Sequence, residues 1–115
     1  MGVLARESCG ERAWIPIARE YLREHFAEKL SLRDVASAAG VHPVHLSRAF
    51  PQRFGMTLGE YVRALRIDYA ARELAATKRP IADIALDVGF ASQSHLTCHF
   101  RARVGVTPAA YRRTS

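Results

Sequence analysis

The strongest constraint in this chain is an internal repeat. Asp34, Val35, Ala36 and Gly40 recur as Asp83, Ile84, Ala85 and Gly89, each 49 residues later. After a one-residue insertion, Leu46, Phe50, Gly55, Thr57 and Tyr61 recur as Leu96, Phe100, Gly105, Thr107 and Tyr111, each 50 residues later. The nine matches keep one order and fall on residue types that shape structure. Small Ala36 and Ala85 suit a close crossing of helices, and Gly40 and Gly89 suit a turn that needs positive φ. Each copy reads as a short helix, a glycine turn and a second helix, the helix-turn-helix pattern. A plain helical hairpin has the same outline. A polar outer face on the second helix of each copy, in a basic surround, separates this chain from that simpler case.

Around the repeat, helical spacing dominates and β signals are scarce. The spacing predicts a first helix from about Trp14 to Ala27, with Pro16 in its first turn and Ile17, Tyr21, Leu22 and Phe26 as its apolar stripe. Ser31 and Asp34 form a capping box for a helix over Leu32 to Ala39. Pro43 opens the next helix, with Leu46, Ala49 and Phe50 on its buried face. Thr57 and Glu60 start a long helix reaching about Ala76, and Pro80 restarts the chain ahead of Ile81, Ile84, Ala85 and Val88. Ser92 caps a helix carrying Leu96, Phe100 and Val104, and Thr107-Pro108 caps a last short helix through Tyr111.

The expected fold is therefore all-α, with about seven helices and two helix-turn-helix motifs joined by a long linker helix. The expected divisions are a polar N-terminal tail over 1–12, a first helix-turn-helix subdomain over 13–57, the linker helix over 58–77 and a second subdomain over 78–115. In the linker, Tyr61, Val62, Leu65 and Tyr69 cluster on one side and Ile67, Ala71 and Leu74 on the other, as expected of a helix that serves one core and then another. At about 1.5 Å per residue it spans roughly 28 Å, close to the one turn of B-DNA, about 34 Å, that separates two reading heads.

A chain of 115 residues with 49 % apolar and 24 % charged side chains is one domain's worth, or two very small ones. That composition excludes a disordered tail or a collagen-like rod. No apolar run is long enough to span a membrane, and the first eleven residues do not read as a signal peptide. Cys9 and Cys98 match no metal or redox spacing, so a reduced, cytoplasmic protein is expected. The net charge is +6, and it is not spread evenly. Residues 1–39 carry six basic and six acidic groups, whereas residues 40–115 carry eleven and five. The excess points to a polyanionic partner, and first to nucleic acid.

The chain resembles the AraC/XylS family of bacterial transcription regulators. Leu32-Arg33-Asp34-Val35-Ala36, Val41 through Phe50, and Gly55-Met56-Thr57-Leu58 with Tyr61 and Arg66 carry the first half of the likeness. Ile84-Ala85, Val88-Gly89-Phe90, Ser92-Gln93-Ser94, Phe100, and Gly105-Val106-Thr107-Pro108 with Tyr111-Arg112 carry the second, which is longer and more specific. The likeness covers about residues 14 to 113. It implies a DNA-binding domain whose two motifs enter adjacent major grooves of double-stranded DNA, usually to activate transcription and often through contact with RNA polymerase. Cytoplasmic, nucleoid-associated localisation goes with that reading. Members usually carry a further domain for effector binding and dimerisation, so a small stand-alone member and a cut-out domain both fit, and the isolated domain is expected to be monomeric.

The outward faces of the two second helices coincide with the family's base-contacting positions. In the first the outward set is Val44, Ser47, Arg48 and Pro51, with His45 at the flank; in the second it is Ser94, Thr97, Cys98 and Arg101, with Gln93 near the helix N-terminus, and the expected base contacts are Val44, His45, Ser47, Arg48, Gln93, Ser94, Thr97 and Cys98. Arg48 has the fork for guanine O6/N7, Gln93 can read adenine N6/N7 or hold a phosphate, and Val44 can touch a thymine methyl. The expected phosphate contacts are the caps His42 and Ser92, together with Thr107, Lys78, Arg79, Arg101 and Arg103. Arg112 and Arg113 are expected only to solvate the chain end.

Two departures from the family pattern stand out. Cys98 replaces a common arginine, and Pro51 sits inside the first recognition helix, where it is expected to kink the helix or loosen its last turn. His95, Cys98 and His99 have spacing that could bind zinc or copper, but packing of His99 at a helix seam explains the run better, and no metal or other cofactor is expected. Cys98 as a redox sensor has no supporting neighbour. An enzyme is disfavoured, because no catalytic triad order, phosphate loop or paired carboxylates occur. A protein-binding module remains the main rival; RNA binding lacks an aromatic platform.

Overall fold

The computed structural model describes residues 2–115, with side chains from residue 13 onward. The side chains of 1–12, Cys9 among them, lie outside the described residues. Seven helices and no strand occur among the described residues: α1 Gly2–His25, α2 Leu32–Ala39, α3 Pro43–Phe54, α4 Leu58–Ala76, α5 Ile81–Asp87, α6 Gln93–Val104 and α7 Pro108–Thr114. They form two compact units. One holds residues 1–25 and 30–58; the other holds residues 26–29 and 59–115.

In the first unit, α1 begins at Gly2 rather than near Trp14, so residues 2–12 are helical and Pro16 lies inside the helix. Periodicity could not show this, because a stretch without an apolar stripe gives no periodic signal. The stripe itself is corrected by one register. Trp14, Ile15, Ala18, Leu22 and Phe26 are buried, whereas Ile17 is 47 % exposed and Tyr21 half-buried. Two candidate stripes run along this helix, and the one containing Trp14 buries the larger ring. Trp14 packs against Phe50 and Phe54 at ring-centroid distances of 6.5 and 6.3 Å, and Phe50 stacks on Phe54 at 4.2 Å. That cluster accounts for the behaviour of Pro51. α3 stays helical through it to Phe54, although the proline donates no amide hydrogen bond. The aromatic residues on either side hold the last turn in place, and Gly55 N donates to Pro51 O at 2.9 Å.

The capping box of α2 is present in both directions. Asp34 N donates to Ser31 Oγ and Ser31 N donates to Asp34 Oδ2, each at 3.1 Å. Past α2, the repeat shows itself in hydrogen bonds as well as in residues. Val41 N donates to Ala36 O at 3.0 Å, and its counterpart Phe90 N donates to Ala85 O at 2.9 Å. Each bond closes the turn over a glycine at positive φ, Gly40 at 72° and Gly89 at 103°. The surroundings differ. A Cβ at Gly40 would meet nothing within 4 Å, whereas one at Gly89 would stand 2.8 Å from Ala27 O.

In the second unit, Val62, Ile67, Ala70 and Leu74 of α4 are buried. Tyr61, Leu65 and Ala71 are only half-buried, and Tyr69 is 41 % exposed, so the two-sided pattern read from the sequence is only partly matched by burial. Tyr69 still lies against Phe26 at a centroid distance of 4.5 Å, with the Arg72 guanidinium over its ring at 5.2 Å. Arg66 fastens residues 26–29 to α4. Its Nε donates to Phe26 O at 2.7 Å and its Nη2 to Glu28 O at 3.0 Å. Ile84, Ala85, Val88, Phe90, Leu96 and Phe100 complete this core, and Phe100 meets Tyr111 edge-on at 5.4 Å. Val104, expected in the α6 stripe, is the last residue of that helix and is 37 % exposed. Arg112 does more than solvate the chain end: its Nε donates to Leu74 O at 3.1 Å, serving one of the last carbonyls of α4.

Candidate nucleic-acid interface

A helix presents its N-terminal amides only if its cap leaves them open. α3 begins at His42, whose Nδ1 accepts from Val44 N at 3.1 Å. That bond places the ring proton on Nε2, which is then a donor directed away from the cap. Val44 is 53 % exposed, and His45, Ser47 and Arg48 are exposed beyond it. His45 meets Trp14 edge-on at 6.2 Å, so its ring is steadied by the core of this unit. His42, Val44, His45 and Arg48 line one open hollow on α3; Ser47 is exposed beside it without lining it. Gln52 joins the same hollow and was not singled out from the sequence. Its signal was its position, one turn beyond Arg48 on the same face.

α6 repeats the arrangement. Ser92 Oγ accepts from His95 N at 3.1 Å, leaving its hydroxyl hydrogen to donate outward. Gln93, Ser94, Thr97 and Cys98 line one open hollow together with Arg101 and Ala102. All are exposed except Thr97, which is half-buried. The Cys98 thiol is free. It stands 50 residues after Arg48, at the repeat-equivalent position of α6.

The expected phosphate donors are less uniform. Lys78 and Arg101 are exposed, and Thr107 Oγ1 accepts from Ala110 N at 3.2 Å as a helix cap. Arg103 lies 3.6 Å from Asp68 in an exposed pair. Arg79 is engaged elsewhere. Its Nη1 bonds Glu73 Oε1 at 2.9 Å and its Nη2 bonds Asp87 Oδ2 at 2.7 Å, and these bonds, to Asp87 first, raise its pKa. The sequence could not foresee this, since the two carboxylates come from α4 and α5. Lys78, Arg79 and Thr107 line neither hollow.

His95 and His99 lie close, with ring centroids 4.9 Å apart, but both turn toward Phe90, against which His99 stacks at 5.7 Å. Cys98 lines the hollow of Gln93, Ser94 and Thr97 instead. Among the described residues, no three His, Cys, Asp or Glu side chains gather where they could hold a metal. No helix among them is long and apolar enough to cross a membrane.

A family model described as a helix-turn-helix domain matches residues 35–114. The regulatory protein SoxS of Salmonella typhimurium is 41 % identical over 81 % of this chain and 87 % of its own length. The bifunctional transcriptional activator/DNA repair enzyme AdaA of Bacillus subtilis is 34 % identical over 95 % of this chain, which spans about half, 52 %, of that relative. The DNA-binding domain of AdpA, a global transcriptional factor solved in complex with a target DNA, superposes with a TM-score of 0.78 at 27 % identity, covering 84 % of this chain and 87 % of that one.

Proposed function

The chain belongs to the AraC/XylS family of transcription regulators, and from that premise we propose that it is a sequence-specific double-stranded DNA-binding regulator that inserts α3 and α6 into adjacent major grooves. The observation that carries the reading is the repeated presentation of an exposed polar face by the second helix of each motif, Val44 to Gln52 in one and Gln93 to Arg101 in the other. Arg48 takes guanine by its fork, Gln93 takes adenine or a phosphate, and Val44 packs on a thymine methyl. His45, Ser47, Ser94, Thr97 and Cys98 complete the base-facing set. His42, Ser92, Lys78, Arg101, Arg103 and Thr107 hold backbone phosphates, and so fix register rather than sequence. Arg79 drops out of that set because both ends of its guanidinium are bonded to carboxylates.

The chain acts as an activator, through contact with RNA polymerase, and works in the cytoplasm as a monomeric module with no catalytic role. Support for activation comes from relatives such as AdaA, whose description names a transcriptional activator. Selection from randomised duplexes, followed by affinity measurements across a salt series, tests the reading. A selected site with two half-sites and a steep negative slope of log K against log salt is expected. A flat slope with tight binding to a protein would instead identify a protein-binding module.

A further inference from the structure

A second concavity lies in the unit that carries α6, between that helix and α4. Arg63, Ala64 and Ile67 of α4 line it with His99, Ala102 and Arg103 of α6, and Glu60 is the acid among its lining residues. Ala102 also lines the recognition-face hollow of Gln93, Ser94, Thr97 and Cys98, so the two concavities adjoin along α6. Arg63 is half-buried. Its positive charge is nonetheless felt nearby, since it helps to depress the pKa of both Arg66 and His99. Arg103 is held only by the exposed 3.6 Å pair with Asp68, which is weak enough to give way. The result is a concave site with an apolar floor, surplus positive charge and an imidazole, beside the face that reads bases.

We propose that Arg63, His99 and Arg103 form a seat for a backbone phosphate of the DNA that α6 enters, a contact in addition to those at the helix caps. The inference rests on the DNA-binding reading above. Arg63 and Arg103 supply the charge. His99 Nε2 or Nδ1 donates once protonated, and the arriving phosphate adds negative charge to a hollow whose two arginines outnumber its one carboxylate, Glu60. Around His99 the cationic groups outnumber the one carboxylate, Glu60, which opposes the phosphate. His95 lies on its own helix, Arg63 and Glu60 come from α4, Arg103 lies one turn along, and Phe90 stacks on the ring. In the free protein the first cause of the depressed His99 pKa is burial, followed by His95 and Arg63. A bound phosphate opposes the last two and draws a proton onto the ring.

The test uses the whole chain and a mixed-sequence DNA duplex, since phosphate contacts are independent of sequence. Arg63→Gln should weaken binding several-fold at low salt and reduce the slope of log K against log salt by about 0.9, one phosphate's worth. Arg63→Lys should restore most of both. The His99 ring signal in NMR should titrate at a higher pH with DNA than without, and affinity should rise as pH falls through that range. His99→Gln should flatten the pH profile. An Arg63→Gln protein that stays folded but keeps its affinity and slope overturns the inference, as does a His99 titration that DNA does not move. Inorganic phosphate alone reproducing the full His99 shift would also overturn it, assigning the site to a free anion. Arg48→Ala serves as the control. If it weakens selected-site binding while Arg63→Gln does nothing, only the phosphate seat fails; if neither has an effect, the DNA-binding reading fails with it.

Discussion

Arg66 Nε donates a 2.7 Å hydrogen bond to the carbonyl oxygen of Phe26, 40 residues earlier in the chain. The same guanidinium reaches Glu28 O and lies 5.8 Å over the Phe90 ring. One side chain thus serves two carbonyls of the non-helical segment that follows α1. Arg66→Ala should destabilise the chain by about 1–3 kcal/mol, the cost of stranding partly buried acceptors. Arg66→Lys should fall between, because an ammonium lacks the fork. Urea denaturation of the three proteins checks the order.

Gly40 and Gly89 occupy equivalent turns but differ in what surrounds them. Gly40→Ala should cost about 1–2 kcal/mol for a left-handed alanine. Gly89→Ala incurs the same penalty and adds a methyl 2.8 Å from Ala27 O and 2.9 Å from Arg66 Nε. Crowding of that kind adds about 1–3 kcal/mol. Equal denaturation midpoints for the two variants would refute the comparison.

Arg48→Ala should reduce affinity for the selected site by about 1–3 kcal/mol and relax preference at one base pair. A uniform loss over all sequences would make Arg48 a phosphate contact. Gln52, on the same hollow, is the next residue to substitute.

Cys98 replaces, at the position equivalent to Arg48, a long cationic donor with a short weak one. Ser94 and Thr97 beside it are short as well. The half-site under α3 should therefore be better defined than the one under α6, which contributes affinity through Ser92, Arg101 and Thr107 without much selectivity. Cys98→Arg should raise discrimination there by about 1–3 kcal/mol where a guanine lies in reach. Randomised-site selection with both proteins decides; equal information in the two half-sites of the unaltered protein would defeat the reading.

The folded chain favours neutral His99, through burial first and then repulsion by His95 and Arg63. The unfolded chain binds the proton at about pH 6.5. Stability from this group is thus complete above that value and declines as pH falls below it, toward the lower folded pKa. Thermal melts from pH 8 to pH 5, about the span over which histidine charges, should show the decline, and His99→Gln should reduce it.

Local signals in the sequence were legible wherever the structure is local. The Ser31–Asp34 box, the glycine turns and the proline starts of α3 and α7 involve residues within one turn of each other, and each lies where the pattern put it. Which side chains share the exposed faces of α3 and α6 was legible for the same reason, because spacing along one helix decides what shares its face. Partners distant in sequence were not. Neither Arg79, bonded to Glu73 and Asp87, nor Arg112, bonded to Leu74 O, can be told from a solvated arginine by its neighbours in sequence. Nor could the stripe of α1 be assigned, since Ile17 and Trp14 head competing registers and only the waiting Phe50 and Phe54 decide between them.

Residues 26–29 belong to the unit that otherwise starts at Gly59, so the polypeptide visits that unit, leaves it for 30–58 and returns. A gene fragment opening at Gly59 would encode α4 to α7 without the four residues that occupy Arg66, cover Tyr69 and abut Gly89. Such a piece would carry every α6 side chain proposed to face bases on an incomplete support. The two motifs repeat in sequence, but they cannot be separated by one cut.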